Sequence, residues 1–397
     1  MIKDLFEQEL QVINVGLSSF ADSIQLTGGK AIQLDWRPHA AGDRETGMKL
    51  AMLINNPEIE AANRTAHDRF LSAQPILTGV QSARHAIPNL GERTLLHAGP
   101  PIEWHRMCGP MQGALIGAIL YESWAQDQES ARQLAGSGEI TFAPCHHFGA
   151  VGPMAGVISP SMPVWIVRNQ DRDNTSFSNL NEGLGKVLRF GANDASVLER
   201  LKWMGSVLGP LMNAALQQLG GVELRPIIAQ ALHMGDECHN RNAAASSLLF
   251  KKLTPALLKT DCAPGDIARV LEFIAGNDHF FLNISMACCK AMLDAAHGVE
   301  HSTLVTAMAR MAWNLAFESA AQARHGSRPP RQWWMDFSSR AILKPTLRRT
   351  WATVRSQRLQ ASAVLPWALH LQSCNLWVER LRMRSPTRAR CITSRWE

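Results

Sequence analysis

Apolar positions fall in short blocks near the start of the chain and in stripes spaced by three and four further on. Residues 12–16 read as a short buried strand and residues 31–34 as a second, with Phe20 and Ile24 marking a helix between them. Strand, helix, strand at this spacing predicts a Rossmann-like parallel α/β unit. Residues 75–80 add a strand, with Gly79 opening a turn; residues 139–142 and 157–167 are strand-like, the latter interrupted by Pro160 and Pro163. From Asp194 the pattern turns helical: Val197, Leu201, Met204, Leu208, Leu211 and Ala215 form one stripe that ends at Gly220-Gly221. Further helices are expected from Pro226 into residues 233–242, from Pro264, and through Asn283, Met286 and Lys290 to Ala296. The expected fold class is α/β. A Rossmann-like α/β domain covers residues 1–100, a Gly-rich α+β domain covers 101–193, and a mainly helical domain completing the site covers 194–310.

Composition changes this picture at one end. Residues 1–309 carry 24 Lys and Arg against 30 Asp and Glu, a balance of −6, whereas residues 310–397 carry 16 against 4, a balance of +12. That last segment holds seven of the twelve tryptophans but one of the 28 glycines, and fifteen Arg to one Lys, without heptad or alternating order. A basic tail suggests nucleic acid or anionic lipid, yet this composition suits neither. We expect residues 311–397 to be an aberrant, disordered tail produced by a frameshift near Arg310, the alternative being a genuine basic appendage. No apolar run reaches the roughly 18 residues of a membrane span, and the acidic, amphipathic residues 1–10 are not a signal peptide. Eight scattered cysteines without a CxxC pair fit reduced thiols in a cytoplasm and remove the strongest zinc signature.

The chemistry concentrates in loops. His233-Met234-Gly235-Asp236-Glu237-Cys238-His239-Asn240-Arg241-Asn242 sets ten mostly polar residues between apolar helical stretches. On a continuing helix His233 and Asp236 would share a face, as would Asp236 and Asn240, so an Asp–His pair orienting a general acid or base is expected. The alternative is a buried hydrogen-bond network tying helices together. His233 and His239 are six apart, unlike the HExxH zinc pattern, which leaves a divalent metal as the minority reading and no cofactor expected. Pro144-Cys145-His146-His147-Phe148-Gly149 precedes a Gly-rich loop, Gly152-Pro153-Met154-Ala155-Gly156; of the two histidines one is expected to contact substrate while the other packs. Lys186 and Arg189, among three glycines, suit a phosphate or carboxylate or else a solvated loop. Gly113 and Gly117 let another backbone approach the helix that Pro110 opens; an anion at that helix N-terminus is the sharper alternative. Asn277 or Asp278 would cap the following helix, and His279, beside two phenylalanines, reads as a core histidine. Asp35 sits where dinucleotide folds place a ribose-binding acid, but a strand-end turn fits it better.

Taken together, several motifs in fixed order resemble the YlbE/AllG family: His97-Ala98-Gly99-Pro100-Pro101, Met107-Cys108-Gly109-Pro110, Cys145-His146-His147, Gly152-Pro153-Met154-Ala155-Gly156, Asn181-Glu182-Gly183-Leu184-Gly185-Lys186, the 233–242 stretch and Gly276-Asn277-Asp278-His279-Phe280-Phe281. The resemblance covers about residues 10–310; the family continues with a Gly-rich segment that this chain lacks. It implies a subunit of oxamate carbamoyltransferase, with phosphorolysis of oxalurate to oxamate and carbamoyl phosphate in anaerobic allantoin breakdown. It also implies partner subunits and a carbamate kinase downstream. Neither nucleic acid nor membrane is an expected partner. For such chemistry the candidate catalytic residues are His146, His147, His233, Asp236, Glu237 and His239. Glu182, Lys186, Arg189, Asn240, Arg241, Asn277 and Asp278 are the candidates for holding anions. The rival expectations are a non-catalytic scaffold subunit and a metal-dependent amidohydrolase.

Overall fold

The computed structural model describes residues 11–15, 17–34, 43–311 and 314–321. The amphipathic start, Gly16, Asp35 and nearly all of the tail expected from residue 311 lie outside them. The chain divides into two units, residues 1–61 and 62–397. The first holds β1 (Gln11–Val15), α1 (Ser18–Leu26), β2 (Lys30–Leu34) and α2 (Arg44–Ile54), with β1 and β2 parallel and in register from Gln11–Lys30 to Val15–Leu34. The expectation of a buried first strand fails: Val12, Ile13 and Val15 are exposed, and Ala21 is the one buried residue among those described in this unit. Two short strands and two helices that bury a single residue among those described leave the faces of this parallel pair uncovered.

In the second unit, which the end of α3 (Pro57–Ser72) enters, the strands of the described residues form two further sheets and a hairpin. The five-stranded sheet has the order β10-β3-β8-β9-β6: β10 (Val222–Glu223), β3 (Pro75–Ser82), β8 (Pro163–Asn169), β9 (Thr175–Asn179) and β6 (Ala150–Val151). Its pairs are antiparallel except β6–β9. The three-stranded sheet sets β4 (Thr94–His97) between parallel β5 (Thr141–Pro144) and antiparallel β7 (Val157–Ile158). Strands on either side of residue 100 therefore share sheets, and β3 pairs here instead of extending the N-terminal parallel pair. The hairpin of β11 (Val305–Met311) and β12 (Asn314–Ser319) crosses residue 310, and Ala320 beyond it is buried with Ala66, Ala296 and Val299.

Helices pack on these sheets. Pro110 occupies the first turn of α4 (Gly109–Tyr121), an apolar helix buried along most of its length. A Cβ at Gly113 or Gly117 would collide with Gly191 backbone or with Leu188 and Asn193, so these glycines serve close approach of the 187–193 segment. A capping box of Asp127 and Ser130 starts α5 (Gln128–Ser137), and Gly138 at φ 88 ends it. The stripe from Val197 folds as α6 (Ala195–Trp203) and α7 (Gly209–Leu219) joined by a π-helical stretch, Met204–Leu208. After α8 (Leu224–His233), α9 (Ala243–Leu257) and α10 (Pro264–Ala275) comes α11 (Leu282–Asp294), eleven of whose thirteen residues are buried. That helix is the centre of the second unit, backed by Phe280 set edge-on to Trp165 at 5.6 Å. No helix of the described residues is long and apolar enough to cross a membrane.

Candidate functional site

Three buried asparagines stitch together loops that the chain keeps about a hundred residues apart. Asn181 Nδ2 donates to Asn283 Oδ1 at 2.9 Å, Asn277 Nδ2 donates to the Asn181 carbonyl at 3.0 Å, and Asn283 Nδ2 donates to the Asn179 carbonyl at 2.7 Å. The loop they hold folds back on itself. Both Glu182 carboxylate oxygens accept from Leu188 N–H, at 3.0 and 3.1 Å, and the Arg189 guanidinium donates to the Gly183 carbonyl at 2.9 Å. Burial raises the Glu182 pKa against these hydrogen bonds and the pull of Arg200 and Arg189. Arg189 is buried over the Phe190 ring, and its Nε has no hydrogen-bond partner among the described residues. Glu182, Arg189, Asn179 and Met204 border a cavity of about 20 Å³, room for a water molecule and not for a substrate. Lys186 is exposed and pairs with Asp194.

The 233–242 stretch borders the same region but differs from its sequence expectation. The helix stops at His233, which is exposed, and Gly235 turns the backbone at φ 78, so residues 236–242 are loop and helical spacing no longer applies. The expected His233–Asp236 pair is not formed. Buried Asp236 accepts from Cys238 N–H at 2.8 Å and Ala245 N–H at 3.0 Å, tying the loop to the start of α9 while Cys238 sits at a left-handed φ of 57. Glu237 accepts from the Asn240 and Arg241 amides and from Arg241 Nε at 2.9 Å. Asn240 and Arg241 are exposed. His239 is half-buried; burial lowers its pKa, Glu237 opposes this and His279 adds to it. His279, read as a core residue, is half-buried as well, its pKa lowered by burial and by Arg189. Thus His239, His279 and Arg189 are neighbours around the Asn277 turn, where Asn277 Oδ1 accepts from His279 N–H. Asp278 is exposed, its carbonyl accepting from Ser246 Oγ at 2.8 Å.

His146 and His147 belong to a second cluster. They ride a short 3-10 turn, Cys145–Phe148, with their rings edge-on at 4.6 Å. Within electrostatic reach of His146 is a buried ion pair, Lys290 Nζ to Asp294 Oδ1 at 2.7 Å, with His297 Nε2 3.2 Å from the same oxygen. Burial, then His147, Lys290 and His97, lowers the His146 pKa, and burial with His147 drives His97 down to about 4. Sequence reasoning named His146 and His147 but missed His97, Lys290 and Asp294. The one signal for the last two was a cation and a carboxylate four apart inside an apolar helix. Asn283 and Lys290 are seven positions apart on α11, about 10 Å at the helical rise, so the two clusters share a helix but occupy different stretches of it. Among the described residues no three or more His, Cys, Asp or Glu side chains are grouped to hold a metal ion.

These features define a mixed α/β protein whose polar loops gather around one central buried helix. The family model described as "Oxamate carbamoyltransferase subunit AllG" matches residues 140–325, a span holding both clusters except His97 and running past residue 310. The chain belongs to the AllG family. It is 45% identical over 313 residues to "Uncharacterized protein YahG" of Escherichia coli (strain K12), covering 78% of this chain and 66% of that protein. It is also 45% identical over 254 residues to "Oxamate carbamoyltransferase subunit AllG" of the same strain, covering 64% and 61%. A solved structure, "Crystal structure of a conserved protein of unknown function from Enterococcus faecalis V583", superposes with a TM-score of 0.66 at 48% identity, covering 67% of this chain and 64% of that one. The matches span just under two thirds of the length of each of these relatives.

Proposed function

We propose that the chain is a subunit of an oxamate carbamoyltransferase that phosphorolyses oxalurate to oxamate and carbamoyl phosphate, a late step of anaerobic allantoin breakdown in the cytoplasm. The observation that carries this reading is the 45% identity to a protein bearing that subunit name. In the reaction a phosphate oxygen attacks the ureido carbonyl, the carbon–nitrogen bond to oxamate breaks, and the departing nitrogen takes a proton. The site must therefore hold two anions, stabilise a developing oxyanion and supply an acid. Arg189, with one guanidinium nitrogen free of hydrogen bonds, Lys186 and Arg241 are the anion-holding cations, helped by Asn240 and Asn277, while the Asp278 carboxylate accepts from a substrate N–H. The half-buried, neutral-leaning His239 is the acid–base group on this side and His146 or His147 on the other, with His233 at the rim. Asp236, Glu237 and Glu182 set the shape of their loops through backbone amides. Other subunits of the complex are the expected partners. The test is carbamoyl phosphate formation by the chain mixed with those subunits. We expect His239→Gln to lower kcat by about 100-fold, the usual scale for a lost acid–base group; undiminished turnover removes His239 from the mechanism.

One observation favours a second reading, a non-catalytic scaffold subunit: the carboxylates of Asp236 and Glu237 are occupied by hydrogen bonds to backbone amides of their own loop and of the first turn of α9. On that reading His239→Gln, His146→Gln and His147→Gln all leave turnover of the assembled complex intact, while omitting the chain abolishes it.

A further inference from the structure

His97 is the last residue of β4, and Pro144, the last residue of β5, lies in register beside it. The two strands are parallel, so their carboxyl ends open on one edge, where loops diverge and α/β sheets commonly hold ligands. The turn after β5 brings His146 and His147 to that edge, and the ammonium of Lys290 is close enough to act on His146. Two facts about His97 single it out. Its side chain is fully buried, and neither ring nitrogen has a hydrogen-bond partner among the described residues. A neutral imidazole always carries one N–H donor and one acceptor, and leaving both unmet in the interior is costly. His147, by contrast, is exposed and connects the cluster to solvent.

We propose that His97, His146, His147 and Lys290 form a binding site at the carboxyl ends of β4 and β5 for a small oxyanion, a phosphate or a carboxylate group. Asp294 already balances the charge of Lys290, so the imidazole N–H groups make the hydrogen bonds while the ammonium sets the sign of the local field. A negative charge there also favours the protonated forms of His97 and His146, opposing the burial that keeps them neutral. This site is distinct from the Lys186 and Arg189 loop; it takes His146 and His147 as oxyanion donors in place of an acid–base role in carbamoyl transfer, and its test does not depend on turnover.

The experiment is calorimetric titration of the whole purified chain with inorganic phosphate and, separately, with acetate, at constant ionic strength held by chloride. We expect one of the two to bind with Kd at or below about 1 mM, and which one binds distinguishes a phosphate from a carboxylate ligand. His147→Ala, at an exposed position that does not burden folding, weakens binding about tenfold, one hydrogen bond to a charged group. His97→Phe does the same, and Lys202→Ala, an exposed cation on α6, leaves affinity unchanged. Absence of binding by both anions up to about 10 mM, or equal affinity in the parent chain and His147→Ala, overturns the proposal.

Discussion

At the residue scale, the buried polar groups have separate and measurable consequences. Asp236 accepts two backbone N–H groups, and removing its carboxylate leaves both donors unmet in a buried turn. Each such donor costs about 1–3 kcal/mol, so Asp236→Ala lowers the unfolding free energy by about 2–4 kcal/mol in urea melts, with Asp236→Asn intermediate. A loss below 0.5 kcal/mol (about the spread of surface substitutions) would show that the amides find other partners. His97 acts through protons. Its folded pKa, about 4, lies below the ordinary 6.5, so the unfolded chain binds the extra proton between those values. The contribution is complete above pH 6.5 and is lost as pH falls through 4, in all on the order of 3 kcal/mol. His97→Phe flattens that part of the stability–pH curve. Glu182 has the opposite sign: its raised folded pKa favours the folded state below the ordinary 4.5 and withdraws that preference as pH rises through the folded value. Equal slopes for His97→Phe and the parent between pH 4 and 6.5 would rule out the buried neutral imidazole. Such environments are poorly legible in sequence. His279 reads as core beside Phe280 and Phe281, yet it is half-buried and feels the charge of Arg189, ninety residues away in the chain.

At the scale of elements, local signals were readable and long-range ones were not. Pro110 opens a helix, Gly220 closes one at φ 65, and Val197 to Ala215 form an apolar stripe, because each rests on backbone geometry or periodicity within a few residues. The partner of Gly113 and Gly117 could not be read, since it is a loop some seventy residues on. Nor could the end of the helix at His233, where apolar spacing carries on into polar sequence and only Gly235 marks the turn. The candidate site was legible as a set of loops but not as an arrangement: His146 lies within electrostatic reach of Lys290, whereas residues 181–189 meet residues 277–283. The buried pair on α11 offers the sharpest test at this scale. Lys290→Met strands Asp294 in the interior and costs about 3–5 kcal/mol, while Lys290→Met/Asp294→Leu removes both charges and recovers most of that loss. A double variant as unstable as the single one would mean that His297 and the neighbouring histidines, not the lysine, hold the carboxylate.

For the molecule as a whole, the distribution of buried apolar surface sets which parts open first. The first unit buries Ala21 alone among its described residues and leaves Ile13, Phe20, Leu26, Met52 and Ile54 in contact with solvent. The second unit surrounds α11 with Leu77, Leu115, Trp165, Phe280 and Phe281, all essentially inaccessible, and ties its loops to that helix through Asn283 and Ser285. Free energy of local opening follows the apolar contacts a segment must give up, from near zero for exposed elements to the global value for a central helix. Amide hydrogen exchange read by mass spectrometry should therefore separate the two units. Peptides from residues 11–34 and 43–61 exchange within the first time points, whereas those from Leu282–Asp294 exchange only through global unfolding and share one rate. Urea accelerates the second class in proportion to the global m value and leaves the first nearly unchanged, because little surface remains there to expose. Protection of β1 and β2 equal to that of α11 would mean that a further layer covers the parallel pair in solution.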